Sequence, residues 1–228
     1  MNGRLYIVST PIGNLGDMTI RAIETLKQVD FILCEDTRVT SILLKHYNFS
    51  KPLVSFNAVT EGKKLSSVVE RITKGENCAL VSDSGTPLIS DPGVRLVSEA
   101  IRQRIDVVSI PGASALISAL TVSGLPTDSF VFEGFLPQKK GRQKKLKELS
   151  DESRTIIIYE SPFRIEKLII ELVEYMPERY VVVCRELTKK FEETWRGYPK
   201  QLKNDLDEKT IKGEFVVVIA PKGWKIEI

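Results

Sequence analysis

Residues 78–101 read CALVSDSGTPLISDPGVRLVSEAI, and this stretch decides the fold class. CALVS (78–82) is a short apolar run of the kind buried between parallel neighbours in a sheet. Val94, Val97 and Ile101 then recur at helical spacing, so an amphipathic helix follows. Between the two lies a loop, residues 82–93, carrying two glycines and two prolines. Strand, loop and helix in that order are the repeating unit of an α/β domain with a parallel sheet. Ligands in such sheets bind beyond the carboxyl ends of the strands, which puts this loop where a site belongs. Gly85 permits close backbone approach, and the prolines stiffen the segment and remove competing amides. The same residues also suit a rigid turn in which Asp91 caps the helix and Pro92 opens its first turn.

The unit recurs on either side. LYIVS (5–9), FILCE (31–35) and VVSI (107–110) are further buried-strand runs, and Leu65, Val68, Val69 and Ile72 follow the i, i+3, i+4, i+7 rule. Two more loops leave strand ends, STPIGNLGD (9–17) and IPGASA (110–115). The second offers small residues and free helix N-terminal amides, which suit a carboxylate- or carbonyl-rich ligand or close helix–sheet packing. Three loops rich in glycine and proline at the ends of neighbouring strands predict the floor of one pocket. Glu35-Asp36-Thr37-Arg38 follows the second strand. Its paired carboxylates fit Mg²⁺ or base chemistry, or else a helix N-cap at Asp36 or Thr37. We read Glu35 as part of the cap and keep Asp36 and Arg38 as substrate-side candidates. No GxGxxG follows the first strand and no GxxxxGK[ST] occurs, so neither a dinucleotide fingerprint nor a phosphate loop is supported.

Beyond the helix-like ASALISALTVSG, the turn chemistry of Gly124-Leu125-Pro126-Thr127-Asp128 predicts a linker, dividing the chain into α/β domains at 1–124 and 125–228. FVFEGF (130–135), TIIIYE (155–160), YVVVCREL (180–187), ETWRGY (193–198) and GEFVVVIA (213–220) read as strands. Ile165, Leu168, Ile169, Leu172, Val173 and Met176 mark the clearest amphipathic helix, and PKQLKNDLD is a polar one. A mixed or partly antiparallel sheet is expected here.

The 228 residues are 42% hydrophobic and 28% charged, ordinary for a soluble globular protein. No apolar run reaches the roughly 20 residues a membrane helix needs. The N-terminus leads straight into a strand without an apolar leader, which predicts a cytoplasmic protein. Cys34, Cys78 and Cys184 sit in separate apolar runs, and His46 is the one histidine, so buried reduced thiols are expected rather than zinc. A net charge of +3 does not by itself imply a nucleic-acid partner, but its distribution is uneven. Lys139, Lys140, Arg142, Lys144, Lys145 and Lys147 meet no acid until Glu148. That cluster is either a solvated helix face or a surface on which a polyanion gains by counterion release. Aromatic residues are sparse in the adjoining sequence, which favours shape-based RNA recognition over base stacking.

Taken together, STPIGNLGD, EDTR (35–38), SDSGTPLISDPG and IPGASA resemble the tetrapyrrole methylase superfamily, and YESPFR (159–164), CRELTK (184–189) and GEFVVVI (213–219) extend the resemblance through the second half. Within the superfamily the likeness is to members acting on small-subunit ribosomal RNA. The resemblance implies a mainly parallel first sheet, a mixed second sheet, a methyl-donor cleft between the two α/β domains, and a homodimer. It implies S-adenosylmethionine as cofactor, whose chemistry needs no metal, and the hydropathy of the sequence predicts no membrane partner. As acceptor the resemblance implies a ribose 2′-hydroxyl on a decoding-centre cytidine of 16S ribosomal RNA, naked or in the 30S subunit. Donor contacts carry over to Pro11, Ile12, Gly85, Thr86, Ile89, Ser114, Ala115, Tyr159, Glu160, Glu186 and Leu187; the RNA contacts expected at the six cations above rest on their clustered charge and not on the resemblance. Asp36, Glu160 and Lys189 are the candidates for a base, alongside a mechanism with none. Methylation of a tetrapyrrole precursor or protein side chain, and non-catalytic RNA binding, are the competing readings. Many relatives carry a further C-terminal segment beyond the point where this sequence closes, Trp224-Lys225-Ile226-Glu227-Ile228.

Overall fold

A computed structural model describes residues 2–226; Met1, and Glu227 and Ile228 of the closing segment, lie outside the described residues. The chain divides into two compact units, Met1–Ser114 and Ala115–Ile228. The first runs β1 (Arg4–Val8), α1 (Ile20–Gln28), β2 (Phe31–Cys34), α2 (Thr37–His46), β3 (Leu53–Ser55), α3 (Glu61–Thr73), β4 (Cys78–Leu80), α4 (Val94–Arg102) and β5 (Asp106–Ile110). Its five strands are all parallel, in the order β3-β2-β4-β1-β5.

Strand runs without polar alternation fold this way because helices cover both faces of the sheet. Phe31 and Leu33 of β2 pack with Val68, Val69 and Ile72 of α3 and Leu96 of α4. Ile32 and Cys34, pointing the other way, pack with Ala22 and Leu26 of α1 and Leu44 of α2. Side chains cap two of the helices. Thr19 accepts from the Ala22 amide at 3.1 Å to start α1, and Asp36 accepts from the Arg38 amide at 2.8 Å to start α2. The cap expected at Asp91 is absent: α4 begins at Val94 with Gly93 as its N-cap residue at φ +123°. A Cβ on Gly93 would stand 2.6 Å from Leu80 Cδ2, so close packing on β4 sets where the helix starts.

The second unit runs α5 (Ala115–Ser123), β6 (Phe130–Phe135), α6 (Arg142–Leu149), β7 (Thr155–Glu160), α7 (Ile165–Tyr175), β8 (Val181–Arg185), β9 (Glu193–Gly197), α8 (Pro199–Asn204) and β10 (Phe215–Ile219). Its sheet is mixed, in the order β6-β7-β10-β8-β9: β6 and β7 are parallel and the other pairs antiparallel. The stripe Ile165, Leu168, Ile169 and Leu172 of α7 joins Leu146 and Leu149 of α6 over Ile156, Val183 and Val217 of the sheet. Helix α5 lies against β7 and β10 in this unit. The unit boundary therefore falls at Ser114/Ala115, and the turn at 124–128 is internal to the second unit rather than a linker. All three cysteines are buried and free. Burial raises each thiol pKa, that of Cys184 to about 11.

Candidate active-site loops

In the first unit β4, β1 and β5 are neighbours, in register at Ile7 with Leu80 and at Val8 with Ile110, so three motif loops leave the sheet at one level. The backbones of Thr10 and Gly85 form an isolated bridge with N–H···O distances of 2.8 and 3.2 Å. The Thr10 hydroxyl donates to Ser82 O at 3.1 Å. Thr86 Oγ1 donates to Ala113 O at 3.0 Å and lies 2.9 Å from Ser9 Oγ. With its one proton committed to Ala113, Thr86 must be the acceptor and Ser9 the donor. Glycine is required at two of these approaches. A Cβ on Gly85, at φ +82°, would stand 3.2 Å from Ile12 Cγ2, and one on Gly112 would stand 2.9 Å from Ser9 Cβ. The three loops therefore meet, and they bring together Ile12, Gly85, Thr86 and Ala113. Pro11 is buried beside them, whereas Ile89 is exposed, between Leu88 at φ +72° and Ser90 at φ +67°.

The acidic residues in and beside the loop at 82–93 behave differently from one another, Asp83 accepting from the Asp36 amide at 3.1 Å. The Arg38 guanidinium holds the Asp36 carboxyl down at about 2. Burial, with Asp91 and Asp83 adding repulsion, raises the Glu35 pKa. Burial likewise raises Asp91, with Asp83 again adding, against a hydrogen bond from Ser82. Among the described residues no group of three or more His, Cys, Asp or Glu side chains is placed to hold a metal ion.

In the second unit the Tyr159 hydroxyl accepts from the Leu116 amide at 3.1 Å, tying the end of β7 to the start of α5 beside Ala115. The Glu160 side chain is fully enclosed, paired with Arg164 at 2.7 Å and Arg142 at 3.5 Å, and it accepts from the Ser161 amide at 2.9 Å. Glu186, at φ +50°, accepts from Lys189 Nζ at 2.9 Å and from the Glu214 amide at 3.0 Å. Lys189 also reaches Glu214 at 2.9 Å. Desolvation pulls the Lys189 ammonium down, but its two carboxylate partners together hold it above its ordinary pKa. Gly213 makes room for this arrangement: at φ +92°, its Cβ would stand 2.4 Å from Glu186 Cδ. Leu187 is buried alongside. Each of the three candidate bases is thus already committed to an ion pair.

The basic run forms the turn before α6 and then α6 itself, with Lys139, Lys140, Lys144 and Lys147 exposed. Arg142 departs from the expected surface role. It is 3% exposed and pairs with Glu171 at 2.8 Å as well as with Glu160, because the helix turns this position toward the core. Lys145 is half-buried between Glu133 and Glu148 at 3.2 and 3.3 Å. Arg164 and Ser9 fall inside the motifs YESPFR and STPIGNLGD but were not among the residues expected to act. Arg164 has a local signal, four residues after Glu160 on a turn entering a helix. The pairing of Ser9 with Thr86 has none, since the two are distant in the chain.

The profile of the tetrapyrrole (corrin/porphyrin) methylases matches residues 4–203. Ribosomal RNA small subunit methyltransferase I of Thermotoga maritima is 46% identical over 220 residues, covering 96% of this chain and 99% of that protein. The protein of the same name from Halalkalibacterium halodurans is 48% identical over 229 residues, covering 99% of this chain and 78% of that protein. Among solved structures, uroporphyrin-III C-methyl transferase from Thermus thermophilus, complexed with S-adenyl homocysteine, superposes with a TM-score of 0.66 at 15% identity, covering 96% of this chain and 97% of that one. The chain belongs to the tetrapyrrole methylase family, in the group formed by the ribosomal RNA small subunit methyltransferase I proteins.

Proposed function

We propose that the chain transfers the methyl group of S-adenosylmethionine to a ribose 2′-oxygen on a decoding-centre cytidine of 16S ribosomal RNA. The coarser statement, an S-adenosylmethionine-dependent methyltransferase of small-subunit ribosomal RNA, rests on the family and on relatives matched over nearly their whole length. The observation that carries the reading is the three-loop junction at Thr10, Gly85 and Thr86, built from residues of the motif loops. Donor contacts are assigned, from the motifs that carry them, to Pro11, Ile12, Gly85, Thr86, Ile89, Ser114, Ala115, Tyr159, Glu186 and Leu187. Glu160, with no exposed side-chain surface, acts as an anchor for Arg142 and Arg164.

The reaction is an in-line displacement. The ribose oxygen forms a bond to the methyl carbon, the carbon–sulfur bond breaks with its electron pair going to sulfur, and S-adenosylhomocysteine leaves. The sulfonium already activates the methyl group, so the protein contributes chiefly alignment of the two reactants. With Asp36, Glu160 and Lys189 engaged in ion pairs, the hydroxyl proton passes to solvent rather than to a dedicated base. A cytoplasmic location and a homodimer belong to the same reading. Among the described residues no helix is long and apolar enough to cross a membrane.

The test is incubation with methyl-labelled donor and, in parallel, 30S particles, naked 16S RNA and tetrapyrrole precursors. Label in ribosomal RNA that survives alkaline hydrolysis as a 2′-O-methyl dinucleotide is expected. Label in the tetrapyrrole, or on a base, would overturn the reading. Calorimetry with S-adenosylhomocysteine separates an enzyme from an RNA-binding factor that has lost its donor site.

A further inference from the structure

Sequence spacing gave no reason to expect base stacking, but the second sheet gathers aromatic residues at one end. Phe135 closes β6 opposite Tyr159 of the parallel strand β7. The turn at 161–164 and the lysine-bearing connection to α6 both leave from that same end. Phe132 and Phe135 stand three apart, a spacing that points to opposite faces of a regular strand. The register shift between Phe132 and Gly134 inserts one residue, and both rings then reach Tyr159, at 4.8 and 5.8 Å between centroids. Phe135 remains 53% exposed, and Phe163, in the following turn, is 94% exposed. At that exposure the Phe163 ring gains almost nothing from folding, and Phe135 only part of what a buried ring would.

The neighbouring groups are rigid and cationic. Arg164 bonds to Leu136 O at 3.0 Å, pairs with Glu160 at 2.7 Å, and stands 5.8 Å from the Phe135 ring centre. A cleft of about 500 Å³ follows directly in the chain, lined by Lys139, Lys140, Gln143, Lys144 and Lys167 above the Arg142–Glu171 pair. The rings and the cleft are joined through Glu160, which pairs with both Arg164 and the cleft residue Arg142. Exposed rings combined with such a cationic cleft match single-stranded nucleic acid, whose bases stack on aromatics while its phosphates need cations. We infer that Phe135 and Phe163 form a stacking face for an unpaired base of the RNA substrate, and that the lysine-lined cleft holds the flanking phosphates. The inference rests on the RNA-methyltransferase reading and adds residues to it.

The experiment uses the full chain and a short single-stranded RNA carrying one 2-aminopurine, whose fluorescence is quenched by stacking. The parent protein quenches the probe on binding. Phe163→Leu keeps the apolar bulk but loses the flat face, so quenching disappears and affinity falls roughly 5- to 150-fold. Phe163→Trp restores both, and Phe135→Leu repeats the loss. Replacing Lys139, Lys140 and Lys144 by Gln weakens binding but leaves quenching intact at saturation. Calorimetry with S-adenosylhomocysteine confirms that each variant is folded. Parent-like binding and quenching in both leucine variants overturn the stacking face while leaving the RNA reading standing. A parent that binds no RNA and labels no 30S particles overturns both together.

Discussion

Replacing Thr86 by Val removes one oxygen while keeping the shape of the side chain, and so asks whether the three loops act as one clamp. Thr86 donates to Ala113 O at 3.0 Å and receives the Ser9 hydroxyl at 2.9 Å. Each bond contributes about 0.5–1.5 kcal/mol net, so the pair stabilises the junction by about 1–3 kcal/mol. If donor binding requires the closed junction, that energy converts to a loss of affinity between about 5-fold and about 150-fold. Ser9→Ala removes one of the two bonds at a residue outside the assigned donor contacts, and should lose about half that free energy. The double variant should match Thr86→Val within about 0.5 kcal/mol, because the Ser9 hydroxyl then has no partner to lose. Calorimetry with S-adenosylhomocysteine reads the affinity, and urea unfolding reads the stability. The clamp is refuted if Ser9→Ala binds donor like the parent and neither single variant shifts unfolding. A loss confined to donor binding in Thr86→Val would make Thr86 a direct contact and nothing more.

Arg142→Met leaves the enclosed Glu160 with one partner and Glu171 without its closest one, so it should destabilise by about 3–5 kcal/mol in urea unfolding. Neutralising the exposed Lys139, Lys140 and Lys144 should instead leave stability within about 0.5 kcal/mol while lowering RNA affinity and flattening its salt dependence. Gly213→Ala places a Cβ 2.4 Å from Glu186 Cδ at φ +92°, and should cost about 1–3 kcal/mol. Hydrogen exchange at 186–189 should quicken in that variant; parent-like exchange there contradicts the account. Glu35 has a folded-state pKa raised above its ordinary 4.5 by burial and by Asp91 and Asp83. Such a group contributes stability that is complete below its unfolded pKa and is lost as pH rises through the folded one. Glu35→Gln should therefore be more stable than the parent at neutral pH, with the difference shrinking on acidification. An unchanged difference across that range contradicts the assigned cause.

Strand runs such as FILC and VVVC were legible because burial on both sheet faces removes polar residues from them, and α7 because its apolar stripe keeps the 3.6-residue period. The loops at 9–17, 82–93 and 110–115 were legible as special because glycine and proline are conspicuous, and their meeting followed from neighbouring strands. What escaped depended on tertiary partners. Asp91 has the composition of a cap, but packing of Gly93 on Leu80 moves the helix start past it. Arg142 is indistinguishable from its lysine neighbours in sequence, and only the orientation of α6 shows it facing Glu171 and Glu160. The helix at 115–123 belongs with the second unit through β7, β10 and Tyr159, contacts that a local turn signal does not record.

Backbone strain gives an independent line of argument about the motif loops. Among the described residues the non-glycine positions at positive φ are Asn48, Leu88, Ser90, Arg104, Glu186 and Thr188. Asn48 and Arg104 follow the caps of α2 and α4, where a left-handed residue ends a helix as a matter of course. Leu88, Ser90, Glu186 and Thr188 have no helix end to account for them. They fall in the two segments SDSGTPLISDPG and CRELTK, and each such residue costs on the order of 1–3 kcal/mol. Something must hold them there. Gly93 packed on Leu80 and Leu88 closes one segment, and the Glu186–Lys189–Glu214 cluster over Gly213 fixes the other. A loop already held in a costly conformation has little freedom left to lose when a ligand arrives. That is the property a site needs when its chemistry depends on aligning a ribose oxygen with a carbon–sulfur bond rather than on a base, and it is why the ion pairs that occupy Glu160 and Lys189 favour the reaction proposed here.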